Sequence, residues 1–469
     1  MMNKIIISCW IVISLLSLPI FAIAQQMPLY RPNRLDTTET SIIKTTAVKK
    51  NFGKAASSWA LAEVLPWSFD RYVRNADYAR ISFSTIRHNL NPGSWTWDND
   101  RFQTNQLGHP FHGSLFYNSF RANGYNFWQS ALATAAGSYF WESTAENQAP
   151  APNDFINTTF GGIVLGEMTH RLANKLINYH RRGLKRQLSE TGATLINPMN
   201  GFSRMIDSKW GRETESNQEA DSSKISVAFD LGARSFRVTA TNQFPGRNTF
   251  GWYGRIKLLY GTPAEKFTEP FSNISITTEV GQDDSSKVNI VSVYGSITGW
   301  ELEGSNRTRY LLILSANYDY IHNEAFFYGG QSVKLNLFTE YDLPGKVKLN
   351  TSFGAGPVIL AAIPNRHPYN GRSYDYGPGI AINGAVKLDI DKLAFSALYK
   401  GGWMHSVNGN QSNYYLHTVA GELSFMLTEG FAVTSEGGYY ALLGRYKDDN
   451  NTNKRYPYIK FAIRYTLTL

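Results

Sequence analysis

The chain has 469 residues, a formal net charge of +9 and a single cysteine, Cys9. One cysteine excludes a disulfide framework and any cysteine-built metal site. The charge fits a solvated surface or contact with anionic lipid, and nothing in the chain resembles a nucleic-acid-binding module.

The first element is an export signal. Lys4 precedes an apolar run from Ile5 to Ile23, and Ala22-Ile23-Ala24 forms a small-x-small cleavage site before Gln25. This predicts a secretory signal over residues 1–24, so Cys9 would leave with it. Residues 25–94 read as a polar periplasmic arm holding one short helix within Ser57–Tyr78.

A different composition covers residues 95–185. Ser114–Tyr125 and Asn126–Trp141 have helical spacing, with Ala131, Ala133, Ala135, Ala136 and Gly137 allowing close packing. Pro150-Ala151-Pro152 breaks the chain, and Asn153 or Asp154 can cap a further helix from Phe155 to about His180. This apolar pair needs burial, either inside a barrel or at the inner leaflet. Residues 186–224 are polar and read as a linker.

From Ile225 to Leu469 the pattern turns to period two, which predicts about twelve strands. The last is the plainest. Ile459, Phe461, Ile463, Tyr465 and Leu467 face one way, and Lys460, Ala462, Arg464 and Thr466 the other. Aromatics make up 14% of the chain, and past the signal no run reaches the roughly 18 apolar residues of a spanning helix. An apolar face backed by Lys, Arg and Glu is what lipid outside and a wet lumen inside require. The fold expected is therefore mainly β, an antiparallel transmembrane barrel of about twelve strands preceded by a small helical domain. Tight turns at Pro344-Gly345, Asp391-Lys392 and Glu429-Gly430 alternate with longer polar loops near Asn370, Asn410 and Asn450, which places the long loops outside the cell. The expected location is the outer membrane, with the N-terminal region periplasmic or inside the lumen. The expected partners are outer-membrane lipid, lipopolysaccharide and the barrel-assembly machinery.

Several polar residues stand out in the helical segment. Asn105-x3-His109-Pro110-x2-Gly113, Arg121, Trp141-Glu142 and Asp154-x2-Asn157-x3-Gly161-Gly162-x3-Gly166-Glu167 resemble the domain of unknown function 3943, found in exported barrel-bearing bacterial proteins. The resemblance spans about residues 95–185 and implies architecture, because the family carries no established activity. Tyr374-Asp375-Tyr376-Gly377 in the barrel looks familial too.

Two chemical readings are open. His109, His112, Glu142, Asp154 and Glu167 could form the polar centre of a lipid-active hydrolase. The same groups, with Asn105, Arg121, Asn157, Gly161, Gly162 and Gly166, could instead cap helix ends and pair across a buried interface, which is the reading favoured here. His109 and His112 could offer two imidazole nitrogens, but no metal and no cofactor is expected. Glu167 lies 13 residues after Asp154, roughly 20 Å along a helix at 1.5 Å per residue, so the two should belong to separate clusters. Asp375 could pair with a cation in the lumen. The leading function is a non-enzymatic barrel with a helical plug or buttress, serving envelope maintenance or small-solute passage.

Overall fold

A computed structural model describes residues 49–177, 183–212, 224–238, 247–261, 269–283, 286–305, 307–323, 326–345 and 347–468. The export signal, residues 25–48 of the N-terminal arm and the expected helix end at His180 lie outside the described residues.

Twelve antiparallel strands close into a barrel: β1 Ile225–Val238, β2 Arg247–Tyr260, β3 Ile274–Gly281, β4 Val288–Ser305, β5 Thr308–His322, β6 Phe327–Leu343, β7 Val347–Tyr369, β8 Arg372–Ile390, β9 Leu393–His405, β10 Ser412–Thr428, β11 Phe431–Tyr446 and β12 Thr452–Thr468. Each strand pairs with its sequence neighbours, and β1 pairs with β12. Closure leaves no unpaired edge, the condition for β-structure in lipid. One hairpin extends beyond expectation. The stretch read as a loop at Pro364–Ser373 is mostly the β7–β8 ladder, closed at Asn370 and Gly371, both with positive φ.

Side chains sort by parity. On β12, Ile459, Phe461 and Ile463 are exposed on the outer wall, whereas Lys460 and Ala462 are buried inside. Phe353 on β7, Ile380 on β8, Phe395 on β9 and Val433 on β11 continue the open apolar exterior. This is a transmembrane barrel.

The lumen is crossed by its own side chains at two levels. In the middle, Arg255 of β2 reaches Asp230 at 2.7 Å, Glu422 of β10 at 3.0 Å, and Glu436 of β11. Arg464 joins Asp230 and Glu422 at 2.6 and 2.7 Å, and Lys460 of β12 meets Glu279 of β3 at 2.7 Å. Asp230 pairs with cations on its two neighbouring strands, but Glu279, Glu422 and Glu436 reach cations on non-adjacent strands, so those contacts run through the interior. Nearer the long connections, Phe326 stacks on Tyr440 with ring centroids 5.4 Å apart, and Tyr440 packs on Tyr458 at 5.2 Å. Phe236, Ile363, Met404, Leu416 and Tyr456 fill the same layer.

Eight α-helices are described before the barrel: α1 Phe52–Ser68, α2 Phe83–Asn89, α3 His109–Arg121, α4 Phe127–Thr144, α5 Pro152–Ile156, α6 Gly162–Ile177, α7 Leu184–Ile196 and α8 Pro198–Ile206. A capping box between Asn126 and Gln129 starts α4. α5 begins at Pro152 with Ala151 as its cap residue, so neither Asn153 nor Asp154 caps it. Five-residue π-turns lead into α3 at Thr104–Gly108 and into α6 at Asn157–Gly161. The segment read as a linker carries α7 and α8. Its charges are satisfied internally, with Glu190 accepting from Arg186 at 2.8 Å and from Arg204 at 2.6 Å, all three buried. A polar stretch can fold when its charges pair with one another.

The described helices lie against the outer wall. On β5, Asp319 faces inward and takes Lys400 Nζ from β9 at 2.8 Å. Its neighbours Tyr318 and Tyr320 therefore face outward, and these meet the helical domain. Tyr318 donates its hydroxyl to the Gln106 carbonyl, and Phe102 stacks on Tyr320 at 5.5 Å. On β8, Asp375 faces inward toward Tyr414, while Tyr374 and Tyr376 face outward toward Asn105. Ile274, Val291 and Val293 complete this covered patch. For the described helices the lumenal placement considered from sequence does not hold, since their strand contacts are outward-facing and charged and aromatic barrel side chains occupy the interior.

Candidate functional site

The helical domain is assembled around α3, and glycines set the approach. Cβ at Gly113 would lie 1.8 Å from the Thr158 carbonyl oxygen, and Cβ at Gly162 would lie 2.6 Å from Gly113 Cα. The two segments pack backbone to backbone, which only glycine permits. Gly161 sits against Pro110 and Gly166 against the Tyr117 ring in the same way. Gly113→Ala is expected to cost at least about 3 kcal/mol, since the clash is with backbone and cannot be relieved by a rotamer change. Thermal melting in detergent should show the helical signal lost before the barrel signal; an unchanged melting temperature would count against the packing.

This crossing creates the first polar centre. His109 Nε2 lies 3.4 Å from Asp154 Oδ1, and its Nδ1 lies 3.3 Å from Thr158 Oγ1. Asp154 also accepts from Asn153 Nδ2 at 2.7 Å. Glu142 accepts from the Ala151 N–H at 2.9 Å, and Glu146 from Trp141 Nε1 at 2.7 Å. Burial raises Glu142 and Asp154 well above the usual carboxylate range, and neighbouring carboxyls add to it. Glu146 is raised to about 7, chiefly by burial. Burial, helped by His112, lowers His109 to about 3. With its pKa lowered to about 3, His109 is uncharged at neutral pH. A base that weak takes a proton from a hydroxyl poorly, which disfavours His109 as a general base.

His112 turns elsewhere. Its Nε2 lies 3.0 Å from the Ala62 carbonyl on α1, and its ring meets Phe116 and Trp141 at 4.5 Å each. The two histidines thus have different partners. Among the described residues, no group of three or more His, Cys, Asp or Glu side chains is placed to hold a metal ion.

Glu167 anchors a second centre. It accepts from Tyr117 Oη at 2.7 Å, Arg121 Nε at 2.8 Å and Arg171 Nε at 2.9 Å. Burial opposes its ionisation, but Arg121 and Arg171 outweigh that and hold the carboxyl at about 2. Arg171 also donates to the Pro270 carbonyl at 2.7 Å, tying α6 to the β2–β3 connection.

Asn105 forms a third cluster, at the barrel wall. Its Nδ2 donates to Tyr376 Oη at 2.7 Å, Tyr374 Oη at 2.9 Å and Asp98 Oδ2 at 3.1 Å. Arg372 donates to the Asp98 carbonyl at 2.8 Å and lies 4.7 Å from the Tyr376 ring centroid. Gln331 of β6 donates to Asn157 Oδ1 at 3.2 Å. Asn105, Asn157 and the Tyr374–Tyr376 motif, separate in the sequence, are thus parts of one dock. Sequence reasoning missed Arg372, Gln331 and Tyr318, whose only signal was an aromatic or polar residue on the apolar face of a strand. Asp375 does not pair with a lumenal cation. It accepts from Tyr414 at 2.6 Å, Asn365 at 2.6 Å and the Asn410 N–H at 3.2 Å.

Residues 94–199 match the family model of a domain of unknown function, DUF3943. That span holds α3 to α7, the first two polar centres and the helical side of the third. No curated protein matches the chain in sequence. Among solved structures, the chain is similar to the NanC porin, at 10% identity and a TM-score of 0.28, over 50% of this chain and 98% of that one. An outer membrane channel from Pseudomonas putida F1 gives 9% identity and 0.30, over 52% and 95%. The outer membrane channel DcaP of Acinetobacter baumannii gives 7% and 0.26, over 53% and 99%. Scores this low carry no argument about function; the barrel rests on its own hydrogen bonding.

Proposed function

We propose that this is an outer-membrane barrel, closed at rest, braced from outside by its helical domain. The carrying observation is that the strand side chains touching the helices point away from the lumen, while charged and aromatic side chains cross it. Its role is envelope maintenance, and passage of a small solute would require both lumenal layers to part. The export signal and the alternating connections support an outer-membrane location with the long loops outside. The lipid-hydrolase reading ranks second, because His109 is uncharged and too weak a base and Glu167 is saturated by two arginines and a tyrosine.

Membrane insertion gives the test. The protein is expected to resist carbonate and urea extraction and to migrate faster unboiled than boiled. Cysteines at Asn410 and Asn450 should label with an impermeant maleimide in intact cells, and one at Gly345 should not. Recovery in the soluble periplasmic fraction would refute the location, and reversed labelling would refute the orientation.

A further inference from the structure

The exposed face of α4 is apolar although its buried face is mixed. The buried face carries Ser130, Thr134, Ser138 and Glu142 beside Phe127 and Trp141, while Trp128 and Leu132 on the opposite face are 59% and 73% exposed. Tyr139 and Phe140 continue that exposed face. The buried hydroxyls are satisfied by carbonyls: Ser130 by Asn126 at 2.9 Å, Thr134 by Ser130 at 2.8 Å and Ser138 by Phe155 at 3.2 Å. A helix in water arranges itself the other way, because each large apolar side chain left exposed forfeits about 1.5–3 kcal/mol. In hydrocarbon that cost vanishes, and hydroxyls turn inward to backbone partners.

The position of the domain supplies the occupant. It covers the half of the wall nearer the long connections: Val291 on β4, Tyr318 on β5 and Tyr376 on β8 are buried beneath it. On the same or neighbouring strands, toward the tight turns, Trp300, Leu335 and Ile380 are open on the lipid face. The outer surface of the domain therefore continues the lipid-facing surface of the barrel. No described helix is long and apolar enough to cross a membrane.

We propose that the exposed face of α4 lies against lipid acyl chains, so that the helical domain is embedded sideways in the bilayer beside the barrel. The inference rests on the outer-membrane reading above. The domain acts as a lateral wedge, replacing annular lipid along β4 to β8 and presenting Trp128, Leu132, Tyr139 and Phe140 in its place.

Spin labels test this in the full chain, in a Cys9→Ser background, reconstituted in phosphatidylcholine vesicles. Labels go at Leu132→Cys and Phe140→Cys, with Phe353→Cys as a barrel lipid-face control and Asn450→Cys as a water control. Collision with oxygen relative to a water-soluble nickel chelate is expected to be several-fold higher at 132 and 140 than at 450, matching 353. If 353 reports lipid but 132 and 140 report water, the inference falls while the barrel reading stands. Labels at 132 and 140 shielded from both reagents would mean that a second copy covers the face, which also overturns it. If 353 reports water, the membrane reading itself fails.

Discussion

Reconstituted in a planar bilayer, the protein is expected to show little steady conductance, and removing either lumenal layer alone should leave it so. The two layers stand in series. Arg255 is the hub of the ionic layer, holding Asp230, Glu422 and Glu436 at once. Above it, Phe326 bridges from the β5–β6 connection to Tyr440 on the far wall. Arg255→Ala leaves three carboxylates with fewer partners and should destabilise the barrel by about 3 kcal/mol, the usual penalty for breaking a buried ion pair. It should not open the barrel, because the aromatic layer remains. Phe326→Ala with Tyr440→Ala should also stay closed. Only the combined variant is expected to conduct, many-fold above the parent. A parent that conducts steadily, or a single-layer variant that opens fully, would overturn the closed-lumen account.

Glu167→Ala should be among the most damaging changes in the helical domain. It strips the shared partner from Arg121 and Arg171 and leaves the Tyr117 hydroxyl without its acceptor. The expected loss is about 3 kcal/mol, again for an uncompensated buried charge. The pH dependence has a defined sign. The folded pKa of about 2 lies below the ordinary value of 4.5, so this stabilisation is present above about pH 4.5 and fades as the pH falls toward 2. His109 acts in the same direction over a higher window: kept neutral at about 3, it contributes stability above pH 6.5 that is lost as the unfolded chain takes up its proton. The gap between melting curves of the parent and Glu167→Gln should be narrower at pH 3.5 than at pH 7, closing fully only toward pH 2. A constant gap would show that the carboxyl acts through packing and not through charge.

How far the fold was legible follows from the range of the forces involved. β12 could be read residue by residue, because alternation over a long strand is a local signal that lipid and lumen both enforce. Gly161, Gly162 and Gly166 were legible as positions of a buried interface, whereas Gly113 stood out only within the family-like motif. The helices α7 and α8 were not, because Arg186, Glu190 and Arg204 look like a solvated linker until the fold pairs them. The lumenal layers were hidden for a similar reason: Arg255 and Glu436 belong to strands far apart in sequence, and only closure makes them neighbours. The side of the wall taken by the helices could not be read at all. Tyr318, Tyr320, Tyr374 and Tyr376 occupy the apolar face of their strands, where lipid headgroups and packed protein call for the same residue type. The polar centre was legible in composition but not in charge state, because burial sets whether His109 and Asp154 are ionised.

The claim on which everything else depends is that the helical domain sits outside the barrel. On β6, Gln331 faces outward to Asn157 while Lys334, three residues along, faces the lumen, where it is buried. Two cysteine pairs separate the alternatives in a Cys9→Ser background. Asn157→Cys with Gln331→Cys is expected to close a disulfide under mild oxidation. Asn157→Cys with Lys334→Cys is expected to stay reduced. A disulfide from 157 to 334, with none from 157 to 331, would put the helices in the lumen and contradict the account.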